Sequence, residues 1–315
     1  MKYSQMKLLA SQSNYDTEKL PAPLDCLFDS SGKFIGYHEL EMDSSYLDAH
    51  VDISYTKDIV SLHSHDFYEL LYCHSGDLQY LVGNTRYQII DNDIIIVPPG
   101  MSHRPLFLEQ MKKPYKRTVV WLNTDFYEKC TQSFCTNSNI LDISLTNQLP
   151  YVIRPTGAIR NQLGQLFDTL SYECSSARPG SELYLIGLFL QIFCLLYRIS
   201  YLETSDTPQP VASDLLDHIL HYVEQHLSED LSLSSISTEF MVSQSTISQL
   251  FKKHMDTGFY KVVTQRRLIE AKNLINSGVS LKETAIRCGF SDYSVFYKAF
   301  VKEYGISPRD FFHHK

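Results

Sequence analysis

The sequence lacks the features of secreted disulfide-rich proteins and of zinc-ribbon proteins. Its seven cysteines stand at irregular positions and never form a Cys-x-x-Cys pair, so neither a disulfide framework nor a zinc ribbon is predicted. The first residues are polar around one short Leu8-Leu9-Ala10 patch, and we therefore expect no signal peptide. The expectation is a cytoplasmic protein with reduced thiols.

A positive net charge, which is common among nucleic-acid-binding proteins, is also missing. The chain of 315 residues carries a net charge of −8. The charge is unevenly spread, because residues 243–302 hold 10 basic and 4 acidic side chains, whereas residues 1–210 hold 16 and 24. Basic residues are therefore concentrated in one C-terminal region, although a solvated helical face would explain any single cluster. The length and the 43% hydrophobic content favour two domains.

Two stretches in that basic region share one design. Residues 233–259 and 281–308 each contain a short amphipathic helix, a tight connection and a second helix that opens on a polar cap. Ser243 is the predicted N-cap in the first stretch, and Gly289 suits the turn in the second. The sequence therefore predicts a helix-turn-helix unit that occurs twice.

The segment between these units is long enough to space them. As one helix, the 18 residues from Phe259 to Asn276 would span roughly 27 Å at about 1.5 Å per residue. Successive major-groove faces on one side of B-DNA are about 34 Å apart. A rigid helix of this length is expected to hold two reading helices near one groove repeat apart.

The same region contains a family signature. The run Arg266–Ile275 reads Arg-Arg-x-x-x-Ala-x-x-Leu-Ile, and it is followed by Ala285, Gly289-Phe290-x-Asp292-x-Ser294-x-Phe296, Phe300 and Gly305-Ile306-Ser307-Pro308. Over about the last 105 residues, this pattern resembles that of the AraC/XylS family of transcription regulators. The resemblance implies a sequence-specific regulator that binds double-stranded DNA, with RNA polymerase as a further partner.

The N-terminal half has a β pattern. Between residues 60 and 122, short runs rich in aromatic and β-branched residues lie at 67–74, 77–82, 85–90 and 93–97. Gly76, Gly83-Asn84 and Asp91-Asn92 separate them. An antiparallel sandwich or barrel is predicted, and there is no βαβ rhythm.

Two short motifs in this half, residues 63–76 and 98–103, resemble those of cupin domains. His63, His65 and Glu69 alternate in sequence, so on a continuous strand they would project to one face, where His103 could join them. These four residues are the candidate ligand pocket. They are also competent ligands for a divalent transition metal such as Zn, Mn, Fe or Ni, but the first expectation is a metal-free pocket without a cofactor.

Two helices are predicted after the β region, at 158–174 and 181–203. The second is apolar on almost all sides, so it could pack against its twin in a dimer, lie in the core of its own domain, or span a membrane. Gln191 and Arg198 within the segment, together with Gly187, argue against a membrane span. We expect a homodimer and no membrane partner.

The predicted fold is α+β and multidomain. Residues 1–157 form a cupin-like ligand-sensing domain of antiparallel β structure, and residues 158–203 a helical dimerisation region. Residues 204–212 contain two prolines and small polar side chains and are predicted to be a linker. Residues 213–315 form an all-α DNA-binding domain.

The candidate DNA contacts are the outward polar residues of the second helix in each unit. In the first unit these are Gln244, Ser245, Ser248 and Gln249, which can reach base edges, and Lys252 and Lys253, which suit phosphates. In the second unit they are Tyr293, Ser294, Tyr297 and Lys298. Asp292 is interpreted as a helix cap, and packing within the domain is an equal alternative for Tyr293 and Tyr297.

The leading hypothesis is a transcription regulator, not an enzyme, that a small-molecule effector controls. The family resemblance favours a sugar or related metabolite as this effector. The alternative is a metal-dependent cupin enzyme, such as an oxygenase or isomerase, fused to a DNA-binding domain. A third possibility is a factor in which the sandwich serves only for dimerisation.

Overall fold

The computed structural model describes residues 42, 44–54, 60, 62–107, 113–134, 151–174, 178–202, 205–206, 211, 214–255 and 257–313. Contacts divide the chain into two compact units. Of the residues described, those between 42 and 54 and between 65 and 211 belong to the β unit, and those between 60 and 64 and between 214 and 313 belong to the helical unit. The division after residue 211 falls within the predicted linker.

The described residues of the β unit form two antiparallel sheets. Its strands are β1 Leu47–Ser54, β2 Tyr68–Ser75, β3 Leu78–Val82, β4 Thr85–Ile89, β5 Ile94–Val97, β6 His103–Leu106, β7 Tyr115–Leu122, β8 Val152–Pro155 and β9 Ser205–Asp206. The six-stranded sheet has the order β1-β7-β2-β5-β8-β9, and the three-stranded sheet has the order β4-β3-β6. The predicted antiparallel sandwich is confirmed, with β2 to β5 within one residue of their expected ends.

The faces of the larger sheet have different chemistry because side chains alternate along each strand. One face carries Leu70 and Tyr72 of β2 and Val120 of β7 into a hydrophobic core. That core is completed by helices α1 Thr124–Phe134, α2 Gly157–Cys174 and α3 Ser181–Leu202. The opposite face carries buried polar side chains, including Glu69, Arg117 and His50.

Helix α3 is the predicted apolar helix. Its segment Ser181–Ile199 is long and apolar enough to cross a membrane by length and composition alone, and 33% of that segment is buried. Phe189, Ile192 and Leu196 lie in the core against the sheet, so one face of the helix belongs to the β unit. Leu183, by contrast, is 77% exposed.

The helical unit contains seven helices among its described residues. They are α4 Leu215–Gln225, α5 Leu233–Glu239, α6 Gln244–Met255, α7 Phe259–Asn276, α8 Leu281–Arg287, α9 Tyr293–Tyr304 and α10 Pro308–His313. Helix α4 begins at the capping box of Asp214 and Asp217. The expected connector is confirmed as one unbroken helix, α7, with the predicted ends.

Helix α7 is buried on most of its sides because both helix-turn-helix units pack against it. Near its beginning, the ring of Phe259 lies 5.2 Å from that of Phe251 in α6. Its later residues Leu268 and Ala271 share a core with Phe296 and Phe300 of α9. A helix held in this way along its length is a rigid link between the two units.

Candidate functional site

The first helix-turn-helix unit consists of α5, a tight turn and α6. The turn closes with hydrogen bonds from Met241 N to Thr238 O at 3.4 Å and from Val242 N to Ser237 O at 3.2 Å. Met241 has a φ of 53°, in the left-handed region that favours glycine. The Ser243 side chain then accepts a hydrogen bond from Thr246 N at 3.1 Å, which confirms Ser243 as the cap of α6.

The second unit consists of α8, its turn and α9, and the turn has the same hydrogen-bond pattern. Gly289 N donates to Ile286 O at 2.9 Å, and Phe290 N donates to Ala285 O at 3.0 Å. Gly289 has a φ of 73°, as its predicted turn role requires. Asp292 accepts a hydrogen bond from Val295 N at 2.8 Å and caps α9, which confirms the interpretation of Asp292 as a cap.

The beginning of α6 presents polar side chains outward. Ile247 and Phe251 are fully buried, so the opposite side of this amphipathic helix remains accessible. The predicted DNA contacts of this helix are all exposed: Gln244, Ser245, Ser248, Gln249, Lys252 and Lys253. Amide and hydroxyl groups can pair with base edges, and ammonium groups can pair with phosphates.

The beginning of α9 is less polar. Ser294, Tyr297 and Lys298 are exposed as predicted, but Tyr293 is half-buried and its ring lies 5.9 Å from that of Phe296. The packing alternative therefore describes Tyr293 in this structure. Val295, which was not among the predicted contacts, is 46% exposed. The sequence signal for its exposure was its offset from the apolar stripe of Phe296 and Phe300, which forms the buried side of α9.

The positive charge of residues 243–302 is only partly available to DNA, which corrects the expectation from sequence. Arg266 is 2% exposed and pairs with Glu224 of α4, and Lys272 is 4% exposed. Arg267 donates hydrogen bonds to Leu227 O at 3.0 Å and Glu229 O at 2.7 Å. These three side chains hold α7 in the helical unit, so the local excess of positive charge overstates the charge available to phosphates.

In the β unit, three of the four predicted pocket residues meet. His103 of β6 places Nε2 3.1 Å from Oε2 of Glu69 on β2, and the Nε2 atom of His65 lies 3.7 Å from the same oxygen. All three are buried, and one potential ligand atom from each lies within 4.8 Å of the others. The group joins the inner faces of the two sheets.

The protonation of this group follows from its hydrogen bonds. The Nδ1 atoms of His65 and His103 each lie 2.9 Å from a backbone carbonyl, that of Phe67 and that of Met101. A carbonyl only accepts, so each Nδ1 must donate, and each Nε2 faces Glu69, to which it can donate only when the ring carries a second proton.

Burial and the neighbouring side chains change the pKa values of this group. Burial lowers the pKa of His65. Burial by itself would raise the pKa of Glu69, but its interactions with His103 and His65 outweigh this and hold that pKa well below its usual range. Burial therefore favours the neutral form of His65, and the two neighbouring imidazoles favour the ionised form of Glu69.

Two further residues belong to this site and were not predicted. Trp121 of β7 donates from Nε1 to Glu69 Oε1 at 3.0 Å. His50 of β1 lies beside it, with the two rings 5.2 Å apart, and His50 Nδ1 is buried without a hydrogen-bond partner among the described residues. The strand alignment places both on the same sheet face as Glu69. Only the pairing of distant strands could have found them.

The expectation of a continuous strand through His63, His65 and Glu69 is wrong. Strand β2 begins at Tyr68, so only Glu69 lies on it. The preceding segment is held by Gly100 N, which donates to His65 O at 2.7 Å. His65 reaches Glu69 from this segment, and His63, which is half-buried, is not part of the three-residue group.

Comparisons with known proteins agree with both parts of this architecture. Residues 49–193 match the family model of an AraC-like ligand binding domain, and residues 236–314 match that of a helix-turn-helix domain. The chain is 24% identical over 249 residues to the HTH-type transcriptional activator RhaS of Salmonella schwarzengrund, covering 79% of this chain and 86% of the relative.

Two solved structures are also similar. The apo form of a ToxT variant from Vibrio cholerae is 14% identical with a TM-score of 0.38, covering 87% of this chain and 99% of that one. A protein of unknown function from Listeria innocua is 28% identical with a TM-score of 0.31, covering 32% of this chain and 98% of that one.

The double helix-turn-helix, the buried site in an antiparallel sandwich and the two family matches lead to one assignment. The chain belongs to the AraC family of transcription regulators, and it is a DNA-binding regulator controlled through its ligand-binding domain.

Proposed function

We propose that α6 and α9 read base edges in two successive major grooves of double-stranded DNA while α7 fixes their spacing. The observation that supports this is the unbroken helix Phe259–Asn276, packed against both units. In each helix-turn-helix unit, the exposed first turn of the second helix, α6 or α9, faces the major groove.

Substitutions in the two helices test this reading surface. Gln249→Ala should change the preference at one or two base pairs at a cost of about 1–3 kcal/mol, because an amide can pair with adenine at two points. Lys298→Ala should weaken all sites together and lower the salt slope by about one. Gln225→Ala, at an exposed position of α4, is the control. An unchanged preference for Gln249→Ala in a binding-site selection would refute its assignment.

We infer that the effector binds in the β unit against Glu69, Trp121 and His50. The Glu69 carboxylate, oriented by the indole N–H of Trp121, and the Nδ1 of His50, which has no hydrogen-bond partner among the described residues, suit a small ligand with several hydroxyl groups, such as a sugar or related metabolite. A thermal-shift screen of such compounds on the full chain tests this. A specific stabiliser that no longer acts on Glu69→Gln supports the site, and one that acts equally on both variants places the ligand elsewhere.

We also propose that His65, Glu69 and His103 can hold a divalent ion. Their donors fit one, because both imidazoles donate from Nδ1 to a carbonyl and turn Nε2 towards the carboxylate. Such an ion would supply a Lewis-acid centre for oxygen atoms of the effector. Metal analysis of the purified chain should find Zn, Mn, Fe or Ni in the chain and in the control His74→Ala, and less in Glu69→Gln. If no metal is bound and none can be loaded, the pocket is metal-free.

We propose that the regulator is a homodimer joined through α3. Its outward side carries Leu183, Gly187 and Cys194, and the half-buried Leu190 and Tyr197, which pack partly against the core, complete the three- and four-residue spacing of a helix pair. A Cβ at Gly187 would meet nothing within 4 Å, so Gly187→Arg should leave the protomer folded and block the partner helix.

Sedimentation equilibrium distinguishes the outcomes for this dimer. Gly187→Arg should shift the chain towards monomer, whereas the control Gln165→Arg, at an exposed position on α2, should remain dimeric. A dimer of unchanged stability in Gly187→Arg would exclude α3 as the interface.

We propose that the protein acts in the cytoplasm, activates transcription through contact with RNA polymerase, and is not an enzyme. The relative named a transcriptional activator supports activation. The group of two histidines and one carboxylate keeps a metal-dependent enzyme as a second candidate. Turnover of a ligand that stabilises the chain would favour the enzyme, and stoichiometric binding without turnover favours the sensor.

A further inference from the structure

The first turn of α9 exposes an aliphatic side chain that the packing of the helical unit does not use. Val295 is 46% exposed, while its neighbour Phe296 is fully buried. The cap contact of this residue is made by its backbone N–H, which donates to Asp292 Oδ1 at 2.8 Å, so its side chain has no part in the cap. Valine is also a weaker helix former than alanine or leucine, and local structure therefore gives no reason for it here.

Single exposed apolar residues are common on protein surfaces, and the position of Val295 is what distinguishes it. It lies in the helix turn that enters the groove in a helix-turn-helix protein. Lys298 is three residues later on the same side and exposed, where it can contact the adjacent phosphate. Tyr297, 41% exposed, is two residues after Val295 and lies on a different side of α9, next to Tyr293.

The equivalent turn of α6 has the opposite character. Its exposed positions are two amides and several hydroxyls, and its aliphatic residue Ile247 is fully buried. The two reading helices therefore offer different chemistry to base edges, only hydrogen-bonding groups in α6 and, in α9, an exposed aliphatic side chain as well.

Resting on the DNA-reading function above, we propose that Val295 is a specificity-determining residue that contacts the 5-methyl group of a thymine in the major groove. Thymine is the base that presents a methyl group there. The first helix then recognises its half-site by hydrogen bonds and the second by apolar contact.

Replacement of thymine by deoxyuridine tests this, because it removes the methyl group and leaves the base-pairing edge unchanged. The full chain selects duplexes from a randomised library, and each thymine of the selected site is then replaced in turn. One replacement in the half-site read by α9 should weaken binding about fourfold, which corresponds to about 0.8 kcal/mol for one buried methyl group. The same replacement should have little effect on Val295→Ser.

Two variants make the assignment specific. Val295→Thr restores one methyl group and should recover part of the deoxyuridine effect, while Gln225→Ala, at an exposed position of α4 outside the reading helices, should keep all of it. Circular dichroism confirms that each variant is helical.

Three results overturn the proposal, and they are distinguishable. If every deoxyuridine is tolerated by the wild-type chain, or if Val295→Ser keeps the full methyl effect, the proposal fails while the DNA-reading function stands. If the chain selects no sequence, the DNA-reading function itself fails and this proposal with it.

Discussion

The two helix-turn-helix units share one backbone arrangement, but different residues form their turns. Both turns use the same pair of backbone hydrogen bonds and a left-handed residue, which is Met241 in the first unit and Gly289 in the second. A Cβ at Gly289 would lie 2.2 Å from Leu227 O, whereas Met241 is 93% exposed. In both units, the left-handed conformation of this residue thus follows from how the first helix of the unit ends. The space around its Cβ position decides whether the residue must be glycine.

Of the variants considered, one that disrupts the turn of the second unit should lower the unfolding free energy most. In Gly289→Ala the new Cβ overlaps the Leu227 carbonyl and the residue must adopt a φ of 73°, so we expect the helical unit to lose on the order of 4 kcal/mol of unfolding free energy. Urea unfolding followed by circular dichroism measures this loss, and Trp121 fluorescence follows the β unit as a control. A wild-type midpoint would show that the turn can open to admit a methyl group.

The next largest effects on the unfolding free energy should come from two contacts that hold α7, one in each unit, and they should differ in size. Glu224→Ala would remove the ion pair of the buried Arg266, and we expect a loss of about 3 kcal/mol of unfolding free energy. In the second unit, Glu303 accepts a hydrogen bond from the amide of Gln265 at 2.9 Å, and Glu303→Ala should cost only about 1 kcal/mol. Equal losses in urea unfolding of the two variants would contradict this difference.

The N-caps of α6 and α9 should contribute about equally to the unfolding free energy. Ser243→Ala and Asp292→Ala each remove one side-chain acceptor from the first turn, at a cost of about 1 kcal/mol. Asp292→Asn keeps the acceptor and should recover most of the loss. Thermal unfolding at low and high salt would separate capping from charge, since an effect that disappears in high salt is electrostatic.

The smallest change in unfolding free energy should come from giving the turn of the first unit a glycine, as in the second unit. Met241→Gly removes a side chain from a left-handed residue that nothing covers, and we expect a gain of about 0.5 kcal/mol after the entropy of glycine in the unfolded chain is subtracted. The urea midpoint should rise slightly. A fall would mean that the Met241 side chain contributes contacts to the folded unit.

Much of the helical unit followed from local sequence pattern. The ends of α7, the caps Ser243 and Asp292 and the role of Gly289 were predictable because each depends on residues within one or two helical turns. Exposure of the α6 contacts followed for the same reason, since Ile247 and Phe251 define the buried side.

The remaining features depend on partners that are distant in sequence. Trp121 reaches Glu69 only because β7 pairs with β2, and no local pattern encodes that alignment. Arg266 looks like a surface cation in sequence, and its burial depends on α4. The expected alternation through His63 was wrong because the strand begins only at Tyr68.

Recognition of DNA by two reading helices depends most on α7 as the rigid spacer between them. The most direct measurement is the spacing of the two half-sites in duplexes that the full chain selects from a randomised library. We predict one fixed spacing, with half-site centres about 10 base pairs apart, because a helix of this length cannot stretch. Half-sites at variable spacing, or a single half-site, would contradict this role of α7.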